Sequence, residues 1–271
     1  MTGWTVDSPQ RLTLDGPVTR LDVRLFSGRL NVVATDGPAR VDVSRVGRRP
    51  VLVEHHDGRL SVRQERNWRW FWPFGLWPRV DVSVAVPADS AADLRLVDGS
   101  LVVSGLRRHT RVDVTSGQIT LMGMRGVTSA KIVSGPVEAL GAAGELTIET
   151  VSGEVILADS AAGQIRAQTV SGAITCDLDN PRRSEIRLHT ISGSITVRVR
   201  EDSDLAVRLH TTSGRITSGF PQVRTTSTIG AVSDSEGVLG AGDGKLWASA
   251  TSGSIALLAR PVDDDEEEEL P

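Results

Sequence analysis

Residues 110–121, TRVDVTSGQITL, carry the pattern that decides the fold, and residues 128–139 (TSAKIVSGPVEA) and 146–157 (LTIETVSGEVIL) repeat it. In each copy, aliphatic and polar residues alternate on both sides of a Ser-Gly pair. Alternation with a period of two is typical of strands that bury one face. Each copy therefore predicts two β-strands joined at a glycine corner.

The corner recurs at a nearly constant spacing, apart from a last interval of almost twice the usual length. The corner glycines are Gly99, Gly117, Gly135, Gly153, Gly172, Gly193, Gly214 and Gly253. The residue two positions after each glycine is aliphatic in every copy: Leu101, Ile119, Val137, Val155, Ile174, Ile195, Ile216 and Ile255. A column that stays apolar through all the copies predicts parallel strands stacked about 4.8 Å apart. We therefore expect an all-β fold, a right-handed parallel β-solenoid (β-helix) with rungs of about 18–21 residues.

Polar residues occupy the position four before each glycine, and the first four of them alternate in sign: Arg95, Asp113, Lys131 and Glu149. On stacked rungs, each charge would lie beside an opposite one and help to fix the register. The serines before the glycines are read as corner residues that hydrogen-bond local backbone. A nucleophile is the alternative, but no general base recurs beside them.

The sequence divides into three parts. Residues 1–90 follow the register more loosely, around Gly28 and Gly58, and are expected to form irregular rungs or hairpins continuous with the solenoid. Residues 91–260 form the regular solenoid. Residues 261–271 contain seven consecutive carboxylates and are expected to be a disordered acidic tail.

Composition excludes several classes of protein. The formal charge of −4 becomes +3 without the seven tail acids, so no strongly basic surface indicates nucleic-acid binding. The single cysteine, Cys176, excludes an internal disulfide and a multi-cysteine metal site. The N-terminus lacks the pattern of a signal peptide, and every apolar run is too short to span a membrane. We therefore expect a cytoplasmic protein, peripheral at the inner face of the membrane if it binds lipid.

The repeat resembles a bacterial family of unknown function, the β-strand-repeat "putative adhesin" proteins. The residues that carry the resemblance are LDVRLFSGRLNVVATDG at 21–37, VDVSVAVP at 80–87 and the chain of TSG and VSG units from Gly117 to Gly214. The resemblance implies a parallel β-helix-like fold and an association with the cell envelope or envelope stress, and it implies no reaction. In architecture alone, the chain is also distantly similar to bactofilins, whose short solenoids polymerise.

One segment, residues 67–79, departs from the repeat through its aromatic residues. It holds four of the six tryptophans, with arginines among and beside them. Three interpretations remain open: a cap over the solenoid, a membrane-surface anchor with indoles at headgroup level, and a protein-binding patch. The candidate contact residues for a membrane or an envelope protein are Arg66, Trp68, Arg69, Trp70, Phe71, Trp72, Phe74, Trp77 and Arg79.

Other chemistry-bearing residues give weaker signals. His189 and His210 share an outward column on what look like consecutive rungs, which would bring their rings within about 5 Å, but a metal site needs a third ligand. Asp177, Asp179 and the acids at 201–204 fall in longer corners, where a paired-carboxylate hydrolase is conceivable. Cys176 falls in a core column, as a small buried apolar residue would. No catalytic residue, cofactor or metal is predicted.

We therefore expect a non-enzymatic β-solenoid that serves as a scaffold or binding module near the cell envelope. A self-assembling, bactofilin-like scaffold is the alternative, which would make the chain a homo-oligomer. A carbohydrate-active β-helix enzyme is the third possibility.

Overall fold

A computed structural model describes residues 2–47, 49–64, 79–179, 183–227 and 232–261. Within these ranges the chain is all-β, with 23 strands and no helix. Valine, isoleucine and threonine fill the strands, and Gly-containing turns separate them. The all-β prediction is confirmed.

The first twelve strands are β1 (Thr2–Val6), β2 (Gln10–Thr13), β3 (Arg20–Ala34), β4 (Arg40–Arg45), β5 (Val51–His56), β6 (Arg59–Gln64), β7 (Val80–Val86), β8 (Ala91–Ser104), β9 (Thr110–Met122), β10 (Val127–Ser134), β11 (Val137–Leu140) and β12 (Glu145–Ser152). The remaining eleven are β13 (Val155–Ser160), β14 (Gln164–Ser171), β15 (Ile174–Leu178), β16 (Glu185–Ser192), β17 (Ile195–Arg200), β18 (Leu205–Ser213), β19 (Ile216–Ser218), β20 (Arg224–Ser227), β21 (Ser233–Leu239), β22 (Gly244–Ser252) and β23 (Ile255–Arg260). The chain separates into two compact units, Met1–Thr150 and Val151–Pro271.

In the first unit, parallel pairing follows the register of the repeat. Leu94 of β8 pairs with Val112 of β9, and Ala130 of β10 pairs with the same Val112 on the opposite side. The long strand β3 pairs in parallel with β8 on one side and with β6 and β7 on the other. Beyond β6 and β7 the pairing becomes antiparallel, through β5 and β1 and through β4 and β2. The first unit therefore begins with antiparallel strands and continues as a parallel stack.

The register expected around Gly58 is wrong, because the chain forms a hairpin there, which is one of the two forms expected for residues 1–90. Asp57 and Gly58, with φ of 47° and 74°, form the turn of an antiparallel hairpin between β5 and β6. Leu60 consequently pairs with Leu21, in the column before the corner and not the one after it. The Asp-Gly pair is a strong hairpin signal, because both turn residues adopt positive φ.

In the second unit, the rungs do not follow the order of the sequence. Strands β16 and β17 pair in parallel with β22 and β23, which in turn pair with β18 and β19. The rung of Gly253 therefore lies between those of Gly193 and Gly214. The sequence predicted successive rungs to be neighbours and read the long interval before Gly253 as a double unit, and this part of the expectation is wrong. The hairpin β20–β21 occupies that interval, with β21 antiparallel to β18.

The core consists of the inward aliphatic columns that the sequence predicted. All eight residues two positions after the corner glycines are buried, seven of them completely and Ile216 at 7 % exposure. Burying each such side chain contributes about 1.5–3 kcal/mol. Cys176 belongs to the core, as expected, with 1 % exposure.

Candidate binding face

The structure describes one of the nine predicted contact residues. Arg79 is exposed and directly precedes β7, whereas Arg66, Trp68, Arg69, Trp70, Phe71, Trp72, Phe74 and Trp77 lie outside the described residues. Their role remains a prediction from the sequence.

The attachment points of the tryptophan-rich segment are described. Strand β6 ends at Gln64 and β7 begins at Val80. Val80 pairs with Gly28, the corner glycine of β3. Gln64 is buried, and its Oε1 accepts a hydrogen bond of 3.0 Å from the backbone N–H of Phe26. The described ends of the two flanking strands therefore lie beside the corner of β3 at Gly28.

The outward face of β8, β9, β10 and β12 in the first unit carries the predicted charge ladder. Arg95 lies 3.8 Å from Asp113 on the next strand, and Lys131 lies 2.7 Å from Glu149. Asp113 also pairs with Arg111 at 3.0 Å. Most charged side chains on this face therefore form ion pairs with one another.

The corresponding face in the second unit is different, because an exposed tryptophan replaces a charge. Trp247 on β22 pairs with Arg187 on β16 and with Arg208 on β18. Its side chain points outward and is 53 % exposed, while the inward Leu246 and Ala248 on either side of it are buried. The core beneath it is formed by Leu246 and Ala248, so the indole is not part of the core. We call the surface formed by Arg187, Trp247, Arg208 and their neighbours the Trp247 face.

A groove of about 610 Å³ runs along the Trp247 face. Its lining residues include the small Ala206 on β18 and Gly237 on β21 as well as the larger Trp247. Val238, 55 % exposed, supplies a second apolar wall. This volume is within the range of small-molecule sites, which are usually apolar with a few polar groups.

Charged groups surround the groove in pairs. Arg208 pairs with Glu236 of β21 at 2.8 Å, and Arg187 pairs with Glu185 of its own strand. Lys245 also lines the groove and has no carboxylate within ion-pair distance among the described residues. The rim thus offers both hydrogen-bond donors and acceptors, with an excess of positive charge.

Sequence reasoning missed the Trp247 face. The available signal was the column six positions before each glycine, which reads Arg166, Arg187, Arg208 and Trp247 in the second unit. An aromatic residue among arginines in an outward column marks a departure from the repeat. The position of Trp247 between two arginines was not predictable, because sequential stacking would have placed Arg208 beside Arg187.

The two histidines do not face each other as expected. Ser249 lies between them in register, and its Oγ is 2.8 Å from Nδ1 of His189. Nδ1 of His210 lies 2.6 Å from a carboxylate oxygen of Asp234 on β21. The inserted rung separates the two rings, so the expected close approach between them is wrong. Within the described ranges, no group of three or more His, Cys, Asp or Glu residues is arranged to hold a metal.

The acids in the longer corners form ion pairs with arginine. Asp177 bonds to Arg198 on the neighbouring strand and to Arg260, which also donates to Asp179 at 2.9 Å. The hydrogen bond and charge of Arg198 hold the pKa of Asp177 below its usual range. A glycosidase acid needs a raised pKa instead, so this carboxylate is poorly suited to that role.

The surroundings of Cys176 and of the corner threonines and serines indicate structural roles. Burial raises the pKa of the Cys176 thiol well above its ordinary value, so the thiolate is disfavoured at neutral pH. Corner hydrogen bonds come from threonines: Thr211 Oγ1 donates to the carbonyl of Gly253 at 2.8 Å, and Thr190 Oγ1 to that of Gly172 at 3.3 Å. The corner serines that follow these threonines, Ser192 and Ser213, are exposed.

Comparisons with known proteins give distant structural matches. The chain is similar to a "putative adhesin" of Bacteroides fragilis, with 12 % identity, a TM-score of 0.48, and coverage of 95 % of this chain and 97 % of the other. A "putative lipid binding protein" of Parabacteroides distasonis shows 10 % identity, a TM-score of 0.46, and coverage of 92 % and 96 %. A search of curated proteins finds no match. In the described ranges, no helical segment has the length and hydropathy of a membrane span.

The family model named Toastrack DUF4097 matches residues 19–258, a range that includes both glycine-corner stacks and the Trp247 face. The match also confirms the resemblance inferred from the repeat. The chain belongs to the Toastrack DUF4097 family.

Proposed function

We propose that this chain is a non-enzymatic binding module built on a right-handed parallel β-solenoid, and that it acts at the cell envelope. The observed parallel pairing supports the solenoid. Leu94 pairs with Val112, and Ile165 pairs with Ile186, and the two residues of each pair lie one repeat apart in the sequence. Such a frame holds outward side chains in fixed rows, which suits binding.

The observation that carries the proposal is that the two strands flanking the tryptophan-rich segment end and begin beside a rung corner. The core-forming strands β6 and β7 are complete on either side of it, so residues 65–79 are an addition to the repeat. Tryptophan and arginine together suit a membrane–water interface, where indoles reach headgroup level and guanidinium groups bind phosphate. We assign membrane-surface binding to this segment, with the inner face of the membrane as its site.

The geometry gives less support to the two other functions considered. The acids of the longer corners are bonded to arginines, which does not favour a hydrolase. End-to-end self-assembly needs a long free edge, whereas the second unit ends on β20, a strand of four residues. Short edge strands limit strand-to-strand association.

The test is sedimentation of the full chain with vesicles of phosphatidylglycerol and phosphatidylethanolamine. We expect the double variant Trp70→Ala/Trp72→Ala to reduce binding about tenfold or more, because two indoles no longer enter the interface. Trp247→Ala is the matched control, since it removes an exposed tryptophan from a different surface. Equal binding by the wild type and the double variant, or no binding by either, would refute membrane binding through this segment.

A further inference from the structure

We propose that the Trp247 face is a second binding site, and that it binds an acidic saccharide, a sugar chain whose rings carry carboxylates. The site uses residues of the second unit and does not depend on the tryptophan-rich segment. The two proposals can therefore fail separately.

The first step of the argument is the exposure of the indole. Trp247 leaves about half of its side-chain surface in water, although the same row in neighbouring rungs accommodates arginine. Leaving a large aromatic surface exposed forfeits the free energy that its burial would contribute. Together with Val238, which is also exposed and lines the same groove, the indole gives the Trp247 face an apolar surface that a ligand can cover.

The second step concerns the shape of the groove. Arg187 and Arg208 lie on the strands adjacent to Trp247, at the spacing of about 4.8 Å between neighbouring strands. The groove lining combines the small Ala206 and Gly237 with the indole and with the exposed side chain of Val238. The groove of about 610 Å³ has room for a short run of sugar rings, whose C–H faces can pack on the indole.

The third step identifies the chemistry of the ligand. A sugar ring has an apolar C–H face, which suits the indole, and hydroxyl groups at its edge, which need both donors and acceptors. Arg187 and Arg208 supply donors, while Glu185 and Glu236 supply acceptors. Phosphate groups alone would use the arginines but offer no hydrogen-bond donor to Glu185 and Glu236, whereas sugar hydroxyl groups can donate to both.

The fourth step is charge complementarity. Each rim glutamate is balanced by its arginine, which leaves Lys245 in the groove and Arg166 on the adjacent strand β14. Among the described residues, neither Lys245 nor Arg166 has a carboxylate within ion-pair distance. The site therefore has an excess of positive charge, which favours a sugar that carries carboxylates over a neutral one.

The experiment is calorimetric titration of the full chain with tri-galacturonate and a sialyl-lactose, each compared with its neutral counterpart, galactotriose or lactose. We expect the acidic saccharides to bind and the Trp247→Ala variant to weaken binding at least about tenfold. Trp247→Phe keeps an aromatic face and should stay within about threefold of the wild type. Lys245→Gln should weaken binding of the acidic saccharide and reduce its advantage over the neutral one.

Leu258→Ala is the matched control, because Leu258 is an exposed apolar residue on β23 of the same unit. This variant should bind like the wild type. The proposal is refuted if no acidic saccharide binds the wild type or if Trp247→Ala binds as tightly as the wild type. It is also refuted if anionic vesicles or single-stranded DNA, and not saccharides, show the dependence on Trp247.

Discussion

The corner glycines are required because the backbones of neighbouring rungs approach closely. A Cβ atom added at Gly117 would overlap the carbonyl oxygen of Gly99, and one added at Gly253 would overlap that of Gly193. The overlap is with backbone, which cannot rotate away as a flexible side chain could. Both glycines also have positive φ, at 136° and 154°. Close approach adds to the conformational reason for glycine.

Gly117→Ala should lower the free energy of unfolding by about 3 kcal/mol or more, because the stacked rungs must separate to admit the methyl group. Gly3→Ala is the control, since a Cβ at Gly3 meets nothing within 4 Å. Urea denaturation followed by circular dichroism measures both. A Gly117→Ala midpoint equal to that of Gly3→Ala would contradict this account of the corner.

Among the elements, β18 shows how the second unit ends its parallel stack. It pairs in parallel with β22 on one side and antiparallel with β21 on the other, and β21 then pairs with β20. Ser235 of β21 donates a hydrogen bond of 2.8 Å to Thr225 of β20. The hairpin therefore covers the backbone groups of β18 that would otherwise form an open edge.

Gly237→Ala should loosen this hairpin selectively. A Cβ at Gly237 would lie 2.6 Å from the carbonyl oxygen of Gln222 and 2.7 Å from Cα of Val223, so the turn before β20 must move. Hydrogen exchange should become at least about tenfold faster in β20 and β21 and remain unchanged in β14. Val238→Ala, an exposed change on the same strand, is the control and should leave the exchange rates as they are.

At the scale of the whole chain, each unit contains a rung that is out of sequence order. In the first unit, β6 and β7 lie on the opposite side of β3 from β8. In the second, β22 and β23 enter between the rungs of β16–β17 and β18–β19. The second insertion creates the Trp247 face, because it brings Trp247 between two arginines.

Disulfide trapping tests this order directly. Paired positions on adjacent strands have Cα atoms close enough for a disulfide, whereas positions two strands apart do not. His189→Cys/Ser249→Cys should therefore form an intramolecular disulfide under mild oxidation, while His189→Cys/His210→Cys should not. The buried Cys176 stays in both variants, because its protonated thiol is protected. Cross-linking of the second pair and not the first would show sequential stacking.

Much of the fold follows from the sequence alone because its causes are local. Alternation assigns Ile195 and its equivalents to the core, and a positive φ favours glycine at most of the corners. These features depend on a few adjacent residues, so reading the chain predicts them. The burial of Cys176 follows from the same column.

Only the tertiary structure decided which rungs are neighbours. Ile195, Ile216 and Ile255 occupy the same column, so the pattern allows the rung of Ile195 to pair equally well with either of the others. The hairpin β20–β21 breaks this equivalence, because it pairs with β18 and makes that strand the last parallel one. The sequence thus determined the residues that face outward, and the long-range pairing decided that Trp247 lies between Arg187 and Arg208.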